Sequence, residues 1–143
     1  MSASTNSVGS LRVLVADDDP LCLRLAARLL RELGHTGALV PNGQKALELL
    51  AQKPFDVLLL DLNMPVLDGL STLTALRQSS GQRPIPVILA SGNDLRVDWD
   101  FYQRAGALGH VLKPLSLEGL RQALTSLPRG CLSGLNACLA SGG

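Results

Sequence analysis

The sequence predicts an α/β fold in which five parallel strands form one sheet with helices on both faces. Short apolar, β-branched segments alternate along the chain with segments whose leucines and alanines recur at helical spacing. One apolar segment, Phe55–Leu60, is nearly continuous, as expected for a strand that is covered on both faces. Hydrophobic residues make up 46% of the 143 residues but aromatics only 3%, which favours an aliphatic helix-and-sheet core in a single domain.

The helix signals in the first half of the chain are specific. Asp19 suits an N-cap, Pro20 suits the first helical position, and Gly34 suits the stop. The pair Asn42-Gly43 indicates a turn before the next helix. The first half is predicted to contain strands over 11–16, 35–40 and 55–60, and helices from 20 to the stop at 34 and over 44–52.

The second half repeats the alternation. Asp68 and Gly69 open a helix, and Ser116 caps the last one. The sequence signal for the fourth helix is weaker than for the others. Its three aromatics cannot all face one side of a helix: Trp99, Phe101 and Tyr102. The second half is predicted to contain helices over 68–78, 94–105 and 116–127, and strands over 87–90 and 108–112.

Polar residues follow four of these strands. They are Asp17 and Asp18, Asp61, Ser91 and Lys113. Because the carboxyl ends of parallel strands meet at one edge of the sheet, where such folds bind ligands, we expect these side chains to converge. Crowded carboxylates raise one another's pKa unless a positive charge intervenes, and a hard cation such as Mg²⁺ suits such a group.

This combination of groups indicates phosphoryl transfer to a carboxylate, where catalysis is mostly positioning and charge neutralisation. Lys113 supplies a mobile positive charge, and Ser91 supplies a hydroxyl donor. A serine hydrolase is a poor alternative because no residue supplies a general base for Ser91. A flavin-binding loop would not contain three aspartates after the first strand, since these would repel phosphate.

Four segments together resemble the motifs of response-regulator receiver domains in order and spacing: Val13–Pro20, Leu58–Gly69, Ile88–Gly92 and His110–Pro114. The resemblance covers residues 11–127. It implies a flavodoxin-like fold with strand order 2-1-3-4-5 and a cis Lys113–Pro114 bond. A dehalogenase-type phosphatase, which also resembles this site, would need a second acid where Asn63 stands.

The resemblance also implies residue roles. Asp61 matches the aspartate that accepts a phosphoryl group from phosphohistidine, and Lys113 matches the lysine that contacts that group. Asp18 and Asp61 match direct Mg²⁺ ligands, and Mn²⁺ can substitute. Asn63 matches a ligand through its backbone carbonyl, and Asp17 matches the aspartate that acts through water. Such a domain catalyses its own phosphorylation and dephosphorylation without being a conventional enzyme.

Two further positions concern the switch that follows phosphorylation. Ser91 matches the hydroxyl residue that turns toward the phosphoryl oxygen. His110 stands where relatives carry a mobile Tyr or Phe, and we leave open whether it rotates similarly or is an exposed edge-strand histidine. The resemblance implies a response on the face made by the fourth helix, fifth strand and fifth helix, which would contact a downstream target or a second copy.

The implied partner is a histidine kinase or a histidine phosphotransfer domain that docks near the first helix. Two alternatives stay open: the receiver of a hybrid histidine kinase that passes phosphate to a phosphotransfer domain, and a degenerate receiver that acts only as an interaction module. A net charge of +1 argues against direct nucleic-acid binding. No apolar run is long enough for a membrane span, and we expect a cytoplasmic protein with reduced cysteines.

The ends of the chain are expected to lie outside the domain. Residues 1–10 are Ser-rich and predicted to be disordered, and residues 128–143 are predicted to form a mostly flexible tail. In that tail, Leu132, Leu135 and Leu139 have helical spacing, although the surrounding glycines weaken any helix.

Overall fold

Strand and helix alternate five times along the chain. The computed structural model describes residues 9–63, 68–78 and 85–127. The elements are β1 (Arg12–Ala16), α1 (Pro20–Glu32), β2 (Thr36–Val40), α2 (Gly43–Gln52), β3 (Val57–Asp61), α3 (Gly69–Gln78), β4 (Val87–Ser91), α4 (Trp99–Ala105), β5 (Gly109–Leu112) and α5 (Leu117–Thr125). The strands form one parallel sheet in the order β2-β1-β3-β4-β5, so the predicted fold class and strand order are confirmed.

The sheet separates two apolar layers. Successive side chains of a strand point to opposite faces, so Val13, Val15 and Leu59 pack with α1 and α5 on one face. Leu14 and Leu58 pack with α2 and α3 on the other face. All five residues of β3 and of β4 are buried, which explains why these segments are apolar almost throughout.

Side-chain caps define the starts of the helices. The Asp19 carboxylate accepts the Leu21 N–H at 3.0 Å, and the Ser116 hydroxyl accepts the Gly119 N–H at 3.0 Å. Asp68 likewise accepts the Ser71 N–H at 2.8 Å. These bonds satisfy backbone donors that have no partner within the first helical turn, which confirms the three predicted caps.

The fourth helix is shorter than predicted. The sequence indicated a helix from about residue 94, whereas α4 begins at Trp99. The Asp94 carboxylate accepts the Arg96 backbone N–H at 2.9 Å and pairs with the Arg96 guanidinium, which lowers the pKa of Asp94 to about 2. This bond does not by itself exclude a helix, because an N–H two residues after an Asp has no partner within a helix that the Asp caps. The chain instead continues as turns, in which the Trp99 N–H donates to the Arg96 carbonyl at 3.4 Å, before the helix begins.

Helix α4 is only lightly attached to the core. None of its seven residues is fully buried. Trp99 and Tyr102 pack partly against the core, whereas Phe101 is 56% exposed, so the aromatics divide between two sides as the spacing predicted. Few buried contacts are typical of elements that open or move at low energetic cost.

One long-range contact holds the end of α4. The Arg77 guanidinium on α3 donates to the carbonyl oxygens of Gly106 at 2.6 Å and Ile85 at 3.3 Å. Gly106 ends α4 with φ of +120°, and a Cβ there would collide with the Arg77 side chain. Glycine therefore serves both the backbone turn and the approach of Arg77.

The predicted terminal segments fall largely outside the described residues. This is so for residues 1–8 of the Ser-rich start, for 128–143 of the tail, and for 64–67 within the second motif. Within the parts of the chain that the structure does describe, no helix combines the length and the apolar run that crossing a bilayer requires.

Substituting Gly106→Ala tests the attachment of α4. We expect a loss of about 1–3 kcal/mol in the free energy of unfolding, because the new Cβ strains the positive φ and displaces Arg77. Urea denaturation followed by circular dichroism measures it. Gly92→Ala is the matched control, because its Cβ would enter open space and its φ is not in the left-handed region. Equal stabilities for the two variants would contradict this account of Gly106.

Candidate functional site

Three carboxylates lie together at the carboxyl edge of the sheet. Asp17 and Asp18 follow β1, and Asp61 is the last residue of β3. One carboxylate oxygen from each lies within 4.8 Å of the others. Asp17 and Asp61 are buried, whereas Asp18 is exposed at the cleft. The pairing of β1 with β3 produces this juxtaposition, because it places residues 44 positions apart in sequence at one edge.

Lys113, which follows β5, provides the positive charge of the cluster. Its Nζ lies 3.0 Å from Asp17 Oδ2 and 3.5 Å from Asp61 Oδ1. Burial works to lower the pKa of Lys113, but the hydrogen bond and charge of Asp17, together with the charge of Asp61, raise that pKa overall. Lys113 is therefore protonated and holds the two buried carboxylates together.

The charges of this cluster are not balanced by Lys113 alone. Burial, followed by the negative charge of Asp17, raises the pKa of Asp61 to about 6. The backbone N–H of Asn63, which donates to Asp61 Oδ1 at 3.3 Å, and the charge of Lys113 offset only part of this effect. Three carboxylates with one ammonium leave two negative charges when all are ionised, and this favours a divalent cation.

The donors also suit such an ion chemically. Asp18, Asp61 and Asn63 line a cleft of about 650 Å³, together with Lys113. Carboxylate and carbonyl oxygens are the ligands that Mg²⁺ prefers, and an open cleft leaves room for the waters that it retains. The residues predicted to hold a metal therefore form a group that fits a hard divalent cation.

The backbone around the cluster fixes the orientation of its side chains. Asp17 Oδ1 accepts the Asp19 N–H at 3.0 Å, so its other oxygen is directed to Lys113. The Lys113 N–H donates to the Ser91 carbonyl at 2.7 Å, and the Lys113–Pro114 bond is cis, as the resemblance implied. Gly69 lets α3 start directly against the end of β3, since a Cβ there would lie 2.7 Å from the Leu62 Cα.

The two predicted switch residues occupy different positions. Ser91 ends β4 beside the cluster, one residue beyond the register partner of Asp61, and its Oγ accepts the Asn93 N–H at 3.0 Å. His110 lies in β5 away from the cleft, where its ring stands 4.7 Å from that of Trp99. The structure therefore brings Ser91 to the site, whereas His110 contacts α4.

Sequence reasoning did not identify Cys22 as part of the cleft. Cys22 and Asp19 both line it, and the Cys22 thiol donates to Asp19 Oδ2 at 3.4 Å. Burial and the charge of Asp17 raise the pKa of this thiol, so it stays protonated and weakly reactive. The available signal was the spacing of three residues from the cap Asp19, which places both side chains on one side of the first helical turn.

Comparison with known proteins assigns the family. The family model described as the response regulator receiver domain matches residues 13–125. The chain belongs to this family. The match includes residues of all five strands and all five helices described above, and it contains the three clustered aspartates and Lys113.

Two curated relatives contain a similar segment within a much longer protein. The chain is 36% identical over 115 residues to the hybrid signal transduction protein dokA of Dictyostelium discoideum, covering 79% of this chain and 7% of that protein. It is 34% identical over 122 residues to the sensory/regulatory protein RpfC of Xanthomonas campestris, covering 84% of this chain and 17% of that protein. The receiver thus spans a small part of these relatives.

Solved structures show the same fold. The chemotaxis protein CheY4 of Vibrio cholerae superposes with a TM-score of 0.76 at 25% identity, covering 84% of this chain and all of that one. The receiver domain of a Pseudomonas aeruginosa sensor histidine kinase, with a magnesium ion coordinated in its active site cleft, superposes with a TM-score of 0.71 at 28% identity. The coverage in that case is 81% of this chain and 95% of the other.

Substituting Asp61→Asn tests the charge imbalance of the receiver's cluster. In EDTA at pH 7 we expect the variant to unfold at a temperature several degrees higher, a gain of about 1–3 kcal/mol, because one buried charge in a repulsive group is removed. Differential scanning calorimetry measures this. Asp98→Asn, which removes an exposed carboxylate without a capping bond, should change little. A less stable Asp61→Asn protein would show that Lys113 already balances the cluster.

Proposed function

We propose that Asp61 accepts a phosphoryl group from a phosphohistidine presented by a histidine kinase or a histidine phosphotransfer domain. The observation that carries this proposal is the position of the Asp61 carboxylate. It lies buried at the end of β3, beside two further carboxylates and 3.5 Å from Lys113 Nζ. A carboxylate held among a metal-binding set and an ammonium suits attack on phosphorus, where positioning and charge neutralisation dominate.

The transfer exchanges one bond for another. A carboxylate oxygen of Asp61 forms a P–O bond while the P–N bond to the donor imidazole breaks, and the leaving nitrogen retains the electron pair and takes up a proton. Attack requires the ionised form of Asp61. With a pKa of about 6, most of this carboxyl is ionised at pH 7.

Asp18, Asp61 and the backbone carbonyl of Asn63 would hold Mg²⁺ directly, and Asp17 would do so through water. When bound, Mg²⁺ neutralises charge on the phosphoryl oxygens, and Mn²⁺ can take its place. The supporting observations are the three clustered carboxylates and the magnesium ion in the related receiver. Asp17 also anchors Lys113, because its Oδ2 lies 3.0 Å from Lys113 Nζ.

Lys113 and Ser91 respond to the product. Lys113 can exchange its contact with Asp61 Oδ1 for a phosphoryl oxygen by a small rotation of its flexible side chain. Ser91 Oγ accepts the Asn93 N–H, and its own hydroxyl proton is available as a donor to the phosphoryl group. Movement of Ser91 would shift the loop leading to α4. Attack by water on the phosphorus then breaks the P–O bond to Asp61, releases inorganic phosphate and regenerates the free carboxylate.

The loop movement would reach the surface formed by α4, β5 and α5. His110 packs on Trp99 and so links β5 to the start of α4. Phe101 and Leu112 on this surface are more than half exposed. We propose that a downstream protein, or a second copy of the chain, binds this surface in a manner that depends on phosphorylation.

The relatives favour a role beside a kinase. Both curated relatives described above are named as signalling or sensory proteins, and their matched segment is a minor share of their length. We therefore propose that this receiver takes part in a relay of the hybrid-kinase type, in which phosphate passes between a kinase, a receiver and a phosphotransfer domain.

Incubation with acetyl phosphate and Mg²⁺ tests the proposal. Intact mass spectrometry should show the addition of one phosphoryl group, and EDTA should prevent it. Asp61→Asn should show no addition. Lys113→Ala should slow the addition by about 100-fold, the usual effect of removing one group that stabilises the transition state.

Asp68→Asn is the matched control for these variants. Asp68 belongs to the same motif but its carboxylate caps α3, so its loss should leave phosphorylation intact. Phosphorylation of Asp61→Asn at the normal rate would contradict the proposal. Failure of the chain both to gain the phosphoryl group and to bind beryllofluoride with Mg²⁺ would instead support the degenerate-receiver alternative.

A further inference from the structure

An apolar groove runs along the outer edge of the sheet. β5 is the last strand in the sheet order, and its outer side has no strand partner in the part of the chain that the structure describes. A groove of about 430 Å³ lies there, between α4 and α5, with Trp99 on one wall and Gln122 and Ala123 on the other. Its floor is β5. This groove is called the β5 groove below.

The β5 groove exposes apolar side chains. Leu108 is 40% exposed and Leu112 is 58% exposed, and both line the groove. Its lining contains one titratable side chain, His110, and no Asp, Glu, Lys or Arg. Proteins usually protect an edge strand with charges or cover it, because an uncharged apolar edge promotes unwanted pairing. The β5 groove has no such charges, which indicates a cover.

In the sequence that follows α5, the stretch from Gly130 onward is uncharged and contains leucines, as an occupant of the β5 groove would need. Residues 128–143 lie outside the described part of the chain, and the stretch from Gly130 to Gly143 contains no charged residue. Leu132, Leu135 and Leu139 are spaced so that a helical turn would place them on one side. An uncharged segment with three leucines suits an uncharged groove that presents two exposed leucines.

The chain also leaves the domain at the correct end of the groove. Ser126, directly after α5, and Leu108, directly before β5, both line the groove and mark the same end. Residues 128–131 can span at most about 14 Å, which is enough to reverse direction. The eight residues from 132 to 139 measure about 12 Å as a helix, close to the roughly 13 Å of the four-residue strand β5.

We propose that the segment 132–139 of this chain folds back and occupies the β5 groove of the same molecule. The tail covers the free edge of β5 and packs its leucines against Leu108, Leu112 and the Trp99 ring. This inference goes beyond phosphorylation and does not depend on Asp61. Its functional consequence is that the tail occupies the surface proposed above for a target or a second copy, so that such a partner must displace it.

Trp99 offers a direct test, because it is the only tryptophan of the chain and lines the groove. Acrylamide quenching of its fluorescence measures how far solvent reaches the ring. The test variant combines Leu132→Asp, Leu135→Asp and Leu139→Asp in the full chain. The matched control combines Ser133→Asp, Asn136→Asp and Ser141→Asp, which adds the same charge to the same tail at polar positions.

We expect the quenching constant of the leucine variant to rise about two-fold over that of the unaltered chain and the emission maximum to shift to the red. A segment on so short a linker has an effective concentration in the mM range, which keeps even a weak contact largely formed. The control should resemble the unaltered chain. Because the substituted residues lie outside the core described above, loss of folding does not compromise the comparison.

Two results would overturn the inference. Equal quenching constants for the leucine variant and the control would show that the leucines do not cover Trp99. Protection of Trp99 that appears only as the protein concentration is raised would show that a second copy, rather than the chain's own tail, occupies the groove.

Discussion

The repulsion among Asp17, Asp18 and Asp61 is the interaction on which the rest of the structure depends. Three carboxylates within 4.8 Å are unfavourable, and the fold tolerates them only because several elements hold compensating groups in place. The adjacency of β1 and β3 brings the aspartates together, and β5 delivers Lys113 to 3.0 Å from Asp17. The remaining negative charge favours a divalent cation, and such a cation would in turn offset the charge of an incoming phosphoryl group.

The cleft is connected to the surface at α4 by a series of hydrogen bonds. Lys113 is bonded through its backbone to Ser91, and the Ser91 hydroxyl is bonded to the loop that leads to α4. That helix has no fully buried residue, and its C-terminal end depends on Arg77. A strongly held site thus adjoins a weakly held helix. This contrast supports the proposal that phosphorylation of Asp61 shifts α4 while the central strands stay in place.

Sequence reasoning succeeded where local chemistry decides the outcome. The caps Asp19, Asp68 and Ser116 and the buried strands are set by neighbouring residues, so spacing alone predicted them. The strand order came from the family resemblance, because no residue pattern distinguishes which parallel strands are adjacent.

The features that sequence reasoning missed depend on turns and contacts that residue spacing does not reveal. Residues 94–98 are not helical and α4 begins only at Trp99, although the composition of that segment allows a helix. The contact of Arg77 with Gly106 joins residues 29 positions apart, and no local sequence pattern predicts it. Cys22 also lines the cleft, and its spacing from Asp19 was a local signal that sequence reasoning did not use.

The most direct test of the account is to locate the phosphoryl group. The chain, phosphorylated with acetyl phosphate and Mg²⁺, is reduced with borohydride, which converts an aspartyl phosphate to homoserine, and the modified residue is found by peptide sequencing in the mass spectrometer. The account predicts homoserine at position 61 alone. Homoserine at position 17 or 18 would contradict it, because a different carboxylate of the cluster would then be the nucleophile.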